Sequence, residues 1–350
     1  MKNIFICHRP YHMLRSANMI YENYLSDENI LISYNLIQIE SQKYLDYISF
    51  PSIENYFSQT IVVDRNDDVR IWSLFRFLKF YRKKIKDYTP IVDSCMDFDN
   101  LFFFSDMERP IEILVGLFKD KGSNKSQLIL VDEGTAAYFH LNKRKQSFIK
   151  ALIVKLFNLK YLNPYVQYGA SKLYTKALAS YPELSTFKGE VLKMPPLNPD
   201  FLNKILLEMK LVVNLKNRYI IYLSNILDKS YGISREKELD VLIHLKTIAE
   251  KCGYLFYIKP HPVQETWYYS DTDDLKPCIV DASIPAELLY SENGIVVSMG
   301  SSGLLNSYMM GIKSIDIGFL FNNPIQWYPK ATKIEMPKSF AEIEKILNGY

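Results

Sequence analysis

Cysteine is scarce and scattered. The four residues Cys7, Cys95, Cys252 and Cys278 form no Cys-x-x-Cys pair, which argues against a zinc site or a disulfide framework and points to a reduced, cytoplasmic compartment. Long apolar runs are missing too. No stretch of about 18 uncharged apolar residues occurs, so no membrane-spanning helix is expected. The apolar start, Met1 to Cys7, gives way at once to His8-Arg9-Pro10 and is too short for a secretory leader. Nor is there a strong charge of one sign. The net charge of +3 is too small by itself to argue for a nucleic-acid partner, and the basic segments do not interleave stacking aromatics densely enough for one. No internal repeat or low-complexity tract is present.

What is present is a globular core. The 350 residues are 48% hydrophobic and 23% charged, enough chain for two domains. Asn3 to Cys7 reads as a first strand, His8 to His12 as a polar loop, and Met13 to Tyr24 as a helix by its periodicity. Strands are expected at Leu31–Ile39, Gln59–Asp64, Asn100–Phe104, Gln127–Val131, Tyr165–Leu173 and Gly189–Met194. Helices are expected at Ile71–Tyr88, Pro110–Phe118 and Lys143–Leu159. Pro195-Pro196-Leu197-Asn198-Pro199 then blocks both helix and sheet hydrogen bonding. It sets the expected domain boundary, 1–196 and 197–350.

The pattern restarts beyond the prolines. A helix is expected at Phe201–Leu211, then strand Arg218–Leu223, helix Arg235–Cys252 and strand Tyr254–Ile258. Strand Cys278–Asp281, a short helix at Pro285–Tyr290, strand Ile295–Ser298, helix Leu304–Met310, strand Ser314–Ile317 and helix Phe340–Asn348 follow. Strands and helices alternating twice imply an α/β protein of two doubly wound domains facing one another.

In such sheets ligands bind where strands end. Three strand ends carry chemistry. One is Lys259-Pro260-His261-Pro262, where two prolines stiffen a histidine able to donate to a phosphate or act as a general acid. Another is Met299-Gly300-Ser301-Ser302-Gly303, where hydroxyls and a helix start suit an anion, or ordinary capping. The third is Asp132-Glu133-Gly134, a carboxylate pair in a turn composition, able to serve as a base. Glu287, in the first turn of a short helix, suits ribose hydroxyls or the helix dipole. His8, Arg9 and His12 lie in the first strand-to-helix loop, where substrate binding and helix-start packing both account for them.

In this order, Asp-Glu-Gly, His-Pro and Ser-Ser resemble the motif set of the bacterial sialyltransferases, most nearly glycosyltransferase family 52, the lipooligosaccharide and capsule sialyltransferases. Pro10-Tyr11-His12-Met13-Leu14 and Pro285-Ala286-Glu287-Leu288 add to the likeness. The resemblance implies a GT-B fold, two Rossmann-like doubly wound domains facing a central cleft. Domain 1–196 would hold the acceptor and the general base, and domain 197–350 the CMP-sugar. Asp132 would be the base on the acceptor hydroxyl. His261 would contact the CMP phosphate and stabilise or protonate it as it leaves. Gly300, Ser301 and Ser302 would hold that phosphate, Glu287 the ribose, and Pro262 would shape the loop. His8, Arg9, His12, Glu133 and Gly134 would belong to the acceptor side.

The implied reaction is an inverting transfer from CMP-sialic acid to a galactose-terminated surface glycan, needing no metal or other cofactor. The absence of an Asp-x-Asp after a strand agrees, since Asp271-Thr272-Asp273 reads as loop. A polysialyltransferase or another capsule GT-B transferase is the second reading. A noncatalytic nucleotide-sugar-binding protein is the third. The basic helices Ile71–Tyr88 and Lys143–Lys160 suit either solvent or an anionic membrane face, which adds a peripheral place at the inner face of the cell membrane to the expected location. A homodimer is compatible with the likeness.

Overall fold

The computed structural model describes residues 1–34, 51–63, 74–106, 108–133, 138, 148–162, 169, 171–187, 189–209, 217–261, 264, 267–282, 284–324 and 332–349. Gly134 and Pro262 of the expected site lie outside these residues. So do 35–39 of the second expected strand and 143–147 of the second basic helix. The chain divides into two compact units, Met1–Phe201 and Leu202–Tyr350.

The first unit holds a seven-stranded sheet. Its strands are β1 (Lys2–Cys7), β2 (Glu28–Tyr34), β3 (Gln59–Val63), β4 (Asn100–Phe103), β5 (Gln127–Val131), β6 (Lys176–Ala179) and β7 (Glu190–Lys193). They run in the order β3-β2-β1-β4-β5-β6-β7, and every pairing is parallel. Around them stand α1 (Pro10–Met19), α2 (Pro51–Glu54), α3 (Leu74–Ser94), α4 (Arg109–Lys121) and α5 (Phe148–Leu156), while α6 (Pro199–Met209) straddles the unit boundary. Central strands covered on both faces need unbroken apolar runs. Ile4-Phe5-Ile6, Ile30-Leu31-Ile32 and Leu101-Phe102-Phe103 supply them, all but inaccessible to solvent. Winding starts at β1, runs outward to β3, then restarts at β4 on β1's other side. The C-terminal ends of β1 and β4 therefore flank a topological switch point, the usual ligand crevice of such sheets.

Two expectations change here. The helix after β1 begins at Pro10 rather than Met13. Proline fits a helix's first position because its missing N–H would have had no partner there, so His12 rides the first helical turn and not a loop. β6 was not expected, since Ala-Leu-Ala carries no β-branched residue. Residues 171–173 of the strand expected at Tyr165–Leu173 are not strand, and most of the rest lies outside the described residues. The Pro195–Pro199 segment is pinned to α1. Arg15 Nη1 donates to Pro195 O at 2.9 Å, Asn18 Nδ2 donates to Pro196 O at 2.9 Å, and the Asn198 N–H donates to Asn18 Oδ1 at 2.7 Å.

The second unit holds four parallel strands, β8 (Tyr219–Leu223), β9 (Leu255–Lys259), β10 (Gly294–Ser298) and β11 (Lys313–Asp316), in the order β11-β10-β8-β9. Its helices are α7 (Leu227–Tyr231), α8 (Arg235–Lys251), α9 (Trp267–Ser270), α10 (Ser302–Met309) and α11 (Phe340–Asn348). Ile220, Leu242, Leu245, Ile258, Ile295, Ile315 and Ile343 form its core. Glu238, fully buried on α8, accepts from the hydroxyls of Tyr222, Tyr268 and Tyr269 at 2.9, 2.9 and 2.7 Å. A buried carboxylate needs such donors, so this cluster is structural. Winding reverses between β8 and β10, which places a second switch point there. The strand expected at Cys278–Asp281 is instead a 3-10 turn, Lys276–Cys278, with one bridge from Ile258 to Ile279. Pro277 supplies no ladder donor at that edge.

Candidate functional site

At the first unit's switch point stand His8 after β1, His12 on α1 and Glu133 after β5. Glu133 Oε2 lies 3.2 Å from His12 Nε2 and 3.7 Å from His8 Nε2, and Glu108 Oε1 lies 4.0 Å from His8 Nε2. The two imidazoles meet edge to face at 4.2 Å, and the His12 ring stacks on Phe104 at 4.2 Å. The His8 N–H donates to His12 Nδ1 at 3.4 Å, which puts the ring proton of a neutral His12 on Nε2, toward Glu133. Both nitrogens of His8, Nε2 of His12 and Oε2 of Glu133 are buried without a hydrogen-bond partner. Burial pushes both imidazoles well below the ordinary histidine range, and the charges of His12 and Arg9 add to this for His8, that of Arg9 for His12. Burial raises the Glu133 carboxyl to about 7, with Arg9 pulling the other way. Arg9 itself is exposed at the N-cap of α1.

Asp132 sits differently. It is 1% exposed, receives the Tyr138 hydroxyl, and accepts the Ser180 N–H at 3.2 Å. Its carboxylate ties β5 to the loop after β6 and is engaged away from solvent, whereas its neighbour Glu133 keeps an oxygen uncommitted. Asp106, after β4, is bound likewise, accepting from Gly169 N–H at 3.1 Å and Ser171 N–H at 3.2 Å.

In the second unit three strand ends are tied together around the other switch point. The His261 N–H donates to Ser224 Oγ at 3.3 Å, joining the ends of β9 and β8. Asn225 Nδ2 donates to Met299 O at 3.4 Å, joining β8 to β10. Gly300 has a left-handed φ of 65°, a conformation glycine adopts without strain. Its N–H donates to Asp316 Oδ2 at 2.9 Å. Ser301 caps α10, its Oγ accepting the Gly303 N–H at 3.1 Å, so the capping role weighed from sequence is real. The acceptor oxygen is used there, while the hydroxyl proton stays available to an anion. Ser302 opens α10 and is half-buried. Glu287, expected at the ribose, is buried and accepts from Asn306 Nδ2 of α10 at 2.9 Å.

Sequence reasoning passed over Lys259. It is 5% exposed, with Nζ donating to Pro260 O at 3.0 Å and Ala282 O at 2.9 Å. Burial lowers its amine to about 8 against the pull of Glu287 and Asp281. A lysine closing an apolar strand two residues before His261 was the available signal. Ser224, Asn225 and Asp316 were passed over as well, because their work is tying one loop to the next.

The profile of the alpha-2,8-polysialyltransferase (POLYST) family matches residues 3–317. The chain belongs to that family. It is a glycosyltransferase of the sialyltransferase type, and the match takes in every described motif residue from His8 to Ser302. The match supports the wider likeness to bacterial sialyltransferases and does not name family 52. No curated protein sequence matches significantly. Among solved structures, the H444N variant of the wall teichoic acid polymerase TagF aligns over 99% of this chain and 79% of its own, with TM-score 0.51 and 11% identity. LpCGTa in complex with UDP aligns over 90% and 79%, with TM-score 0.50 and 10% identity. The E. coli heptosyltransferase WaaC aligns over 100% and 99%, with TM-score 0.47 and 10% identity. The fold of the polysialyltransferase-family chain is GT-B.

Proposed function

We propose that the chain transfers sialic acid from CMP-sialic acid onto the sialic acid at the end of a surface glycan, repeatedly and with inversion. The observation that carries this reading is the uncommitted Glu133 Oε2 at a switch-point strand end, in a chain whose family is the polysialyltransferases. Glu133 takes the role expected of Asp132: it removes the proton from the acceptor hydroxyl as that oxygen attacks the anomeric carbon. Asp132, held by Tyr138 and Ser180, positions the strand end beneath it.

The bond from the anomeric carbon to the CMP phosphate breaks in the same step. His261 and the hydroxyls of Ser301 and Ser302, at the N-terminus of α10, receive the leaving monophosphate. Buried Lys259 adds positive potential behind that loop. Gly300 sets the turn, held by Asp316, and Glu287 steadies α10 through Asn306. A monophosphate facing these groups needs no metal, so transfer runs in the presence of a chelator.

The test uses the full chain with CMP-sialic acid and EDTA, offering lactose or an α2,8-linked oligosialic acid and measuring CMP release and product length. Release with the oligosialic acid and a ladder of longer products is expected. Glu133→Gln lowers kcat by about 10²–10⁴-fold. Release with lactose alone would assign a single transfer to galactose. No release on either acceptor, or an unchanged rate in Glu133→Gln, would sink the assignment.

A further inference from the structure

We propose that His8, His12 and Glu133 together form a binding site for a divalent transition cation of the zinc class. Their ligand atoms all lie within 4.8 Å of one another, and the two imidazoles are buried at 6% and 0% exposure. A tetrahedral zinc ion with bonds of about 2.0–2.1 Å holds its ligand atoms roughly 3.3 Å apart. The His12–Glu133 and His8–Glu133 separations of 3.2 and 3.7 Å straddle that value.

Four buried polar atoms in this one cluster lack hydrogen-bond partners, which is uncommon enough in folded proteins to call for an occupant. Two imidazoles with one carboxylate is a three-ligand set that leaves a coordination position open. It favours zinc, cobalt or nickel over magnesium or calcium, which take oxygen ligands. The stack on Phe104 holds the His12 ring in place before any ion arrives. Glu108, 4.0 Å from His8, adds negative potential, against which the exposed Arg9 acts. Ligation through His12 Nε2 shifts the ring proton to Nδ1 and gives up the 3.4 Å contact from the His8 N–H, a bond at the long end of the range.

The site does not depend on the transfer reaction, but it shares one atom with it. A cation on Glu133 Oε2 excludes that oxygen from acting as a base, so zinc-loaded and transferring states are mutually exclusive.

The experiment titrates the chelator-stripped full chain with Zn²⁺ against a chromogenic chelator, and with Co²⁺ by absorption. Expected are one tight equivalent of Zn²⁺ and the visible spectrum of four-coordinate cobalt. Glu133→Gln, nearly isosteric, weakens binding at least tenfold, the His8→Ala/His12→Ala double variant abolishes it, and Arg9→Ala tightens it. Circular dichroism reports whether each variant is folded, and Glu133→Gln decides the matter if the double variant is not. No stoichiometric Zn²⁺ would overturn the proposal. So would an equivalent retained in Glu133→Gln or in the folded double variant, as thiol binding would give, or Mg²⁺ binding as tightly as Zn²⁺.

Discussion

Adjacent residues at the end of β5 carry opposite loads. Asp132→Ala strips partners from two buried donors, the Tyr138 hydroxyl and the Ser180 N–H, at a cost of about 1–3 kcal/mol for each. Urea unfolding should therefore show a large loss for Asp132→Ala and little for Glu133→Gln, while activity ranks Glu133→Gln as severely impaired. Lys259 makes a separate prediction. Its folded pKa, about 8, lies below its unfolded value of 10.5. An amine depressed in this way contributes stability that is present above the unfolded pKa and lost as pH falls through the folded one. Relative to Lys259→Met, the wild-type chain should gain stability as pH rises from 8 toward 10, by up to about 3 kcal/mol, read as a growing difference in urea midpoints.

At the scale of elements, α10 is the piece to test. Gly303 lies so close to the end of β8 that an added Cβ would come within 2.5 Å of Leu223 Cδ1 and 2.9 Å of the Tyr290 hydroxyl. Gly303→Ala therefore displaces the ends of the Leu223 and Tyr290 side chains, the latter donating to Gly303 O at 3.0 Å, and the expected result is a raised KM for the CMP-sugar with the acceptor KM unchanged. Ser301→Ala removes the cap and costs about 1 kcal/mol, measured on the unfolding midpoint.

The strands that frame these sites were legible in the sequence. Gln127–Val131 falls where the apolar pattern put it, and β8, β9 and β10 shift by one residue or less at each end. A buried parallel strand needs a run of apolar residues, and these segments have one. Lys176–Ala179 offers only Ala-Leu-Ala, with no β-branched residue, and was missed. How the Asp132 carboxylate is held was not legible. That depends on Tyr138 and Ser180, residues that sequence alone does not bring together. Lys84, one of the cations of the basic helix expected at Ile71–Tyr88, is buried, with its ammonium over the rings of Phe80 and Tyr88 at 5.8 and 5.4 Å.

At the scale of the molecule, the remaining surface of α3 and α5 bears on location. No helix among the described residues is long and apolar enough to cross a membrane. Phe75 is 77% exposed and Leu156 68%, with Arg76, Lys79 and Lys155 exposed beside them in sequence. Apolar tips beside basic side chains suit an anionic bilayer face. Cosedimentation with phosphatidylglycerol vesicles, but not with phosphatidylcholine vesicles, is the expected outcome, and Phe75→Ser with Arg76→Glu should weaken it. Binding that ignores lipid charge would remove the electrostatic half of that argument.

The parallel pairing of both sheets also sets how the chain must assemble. A parallel pair cannot form as a hairpin and waits for its crossover, so each contact closes a long loop before it is rewarded, and such folds form slowly. β8 shows this in the second unit. It gains β9 as soon as Lys259 is made, but its other edge stays open until the chain reaches Ser298. A nascent chain halted before Gly294 would present that apolar edge to its neighbours, and its solubility should fall sharply compared with one halted after α10.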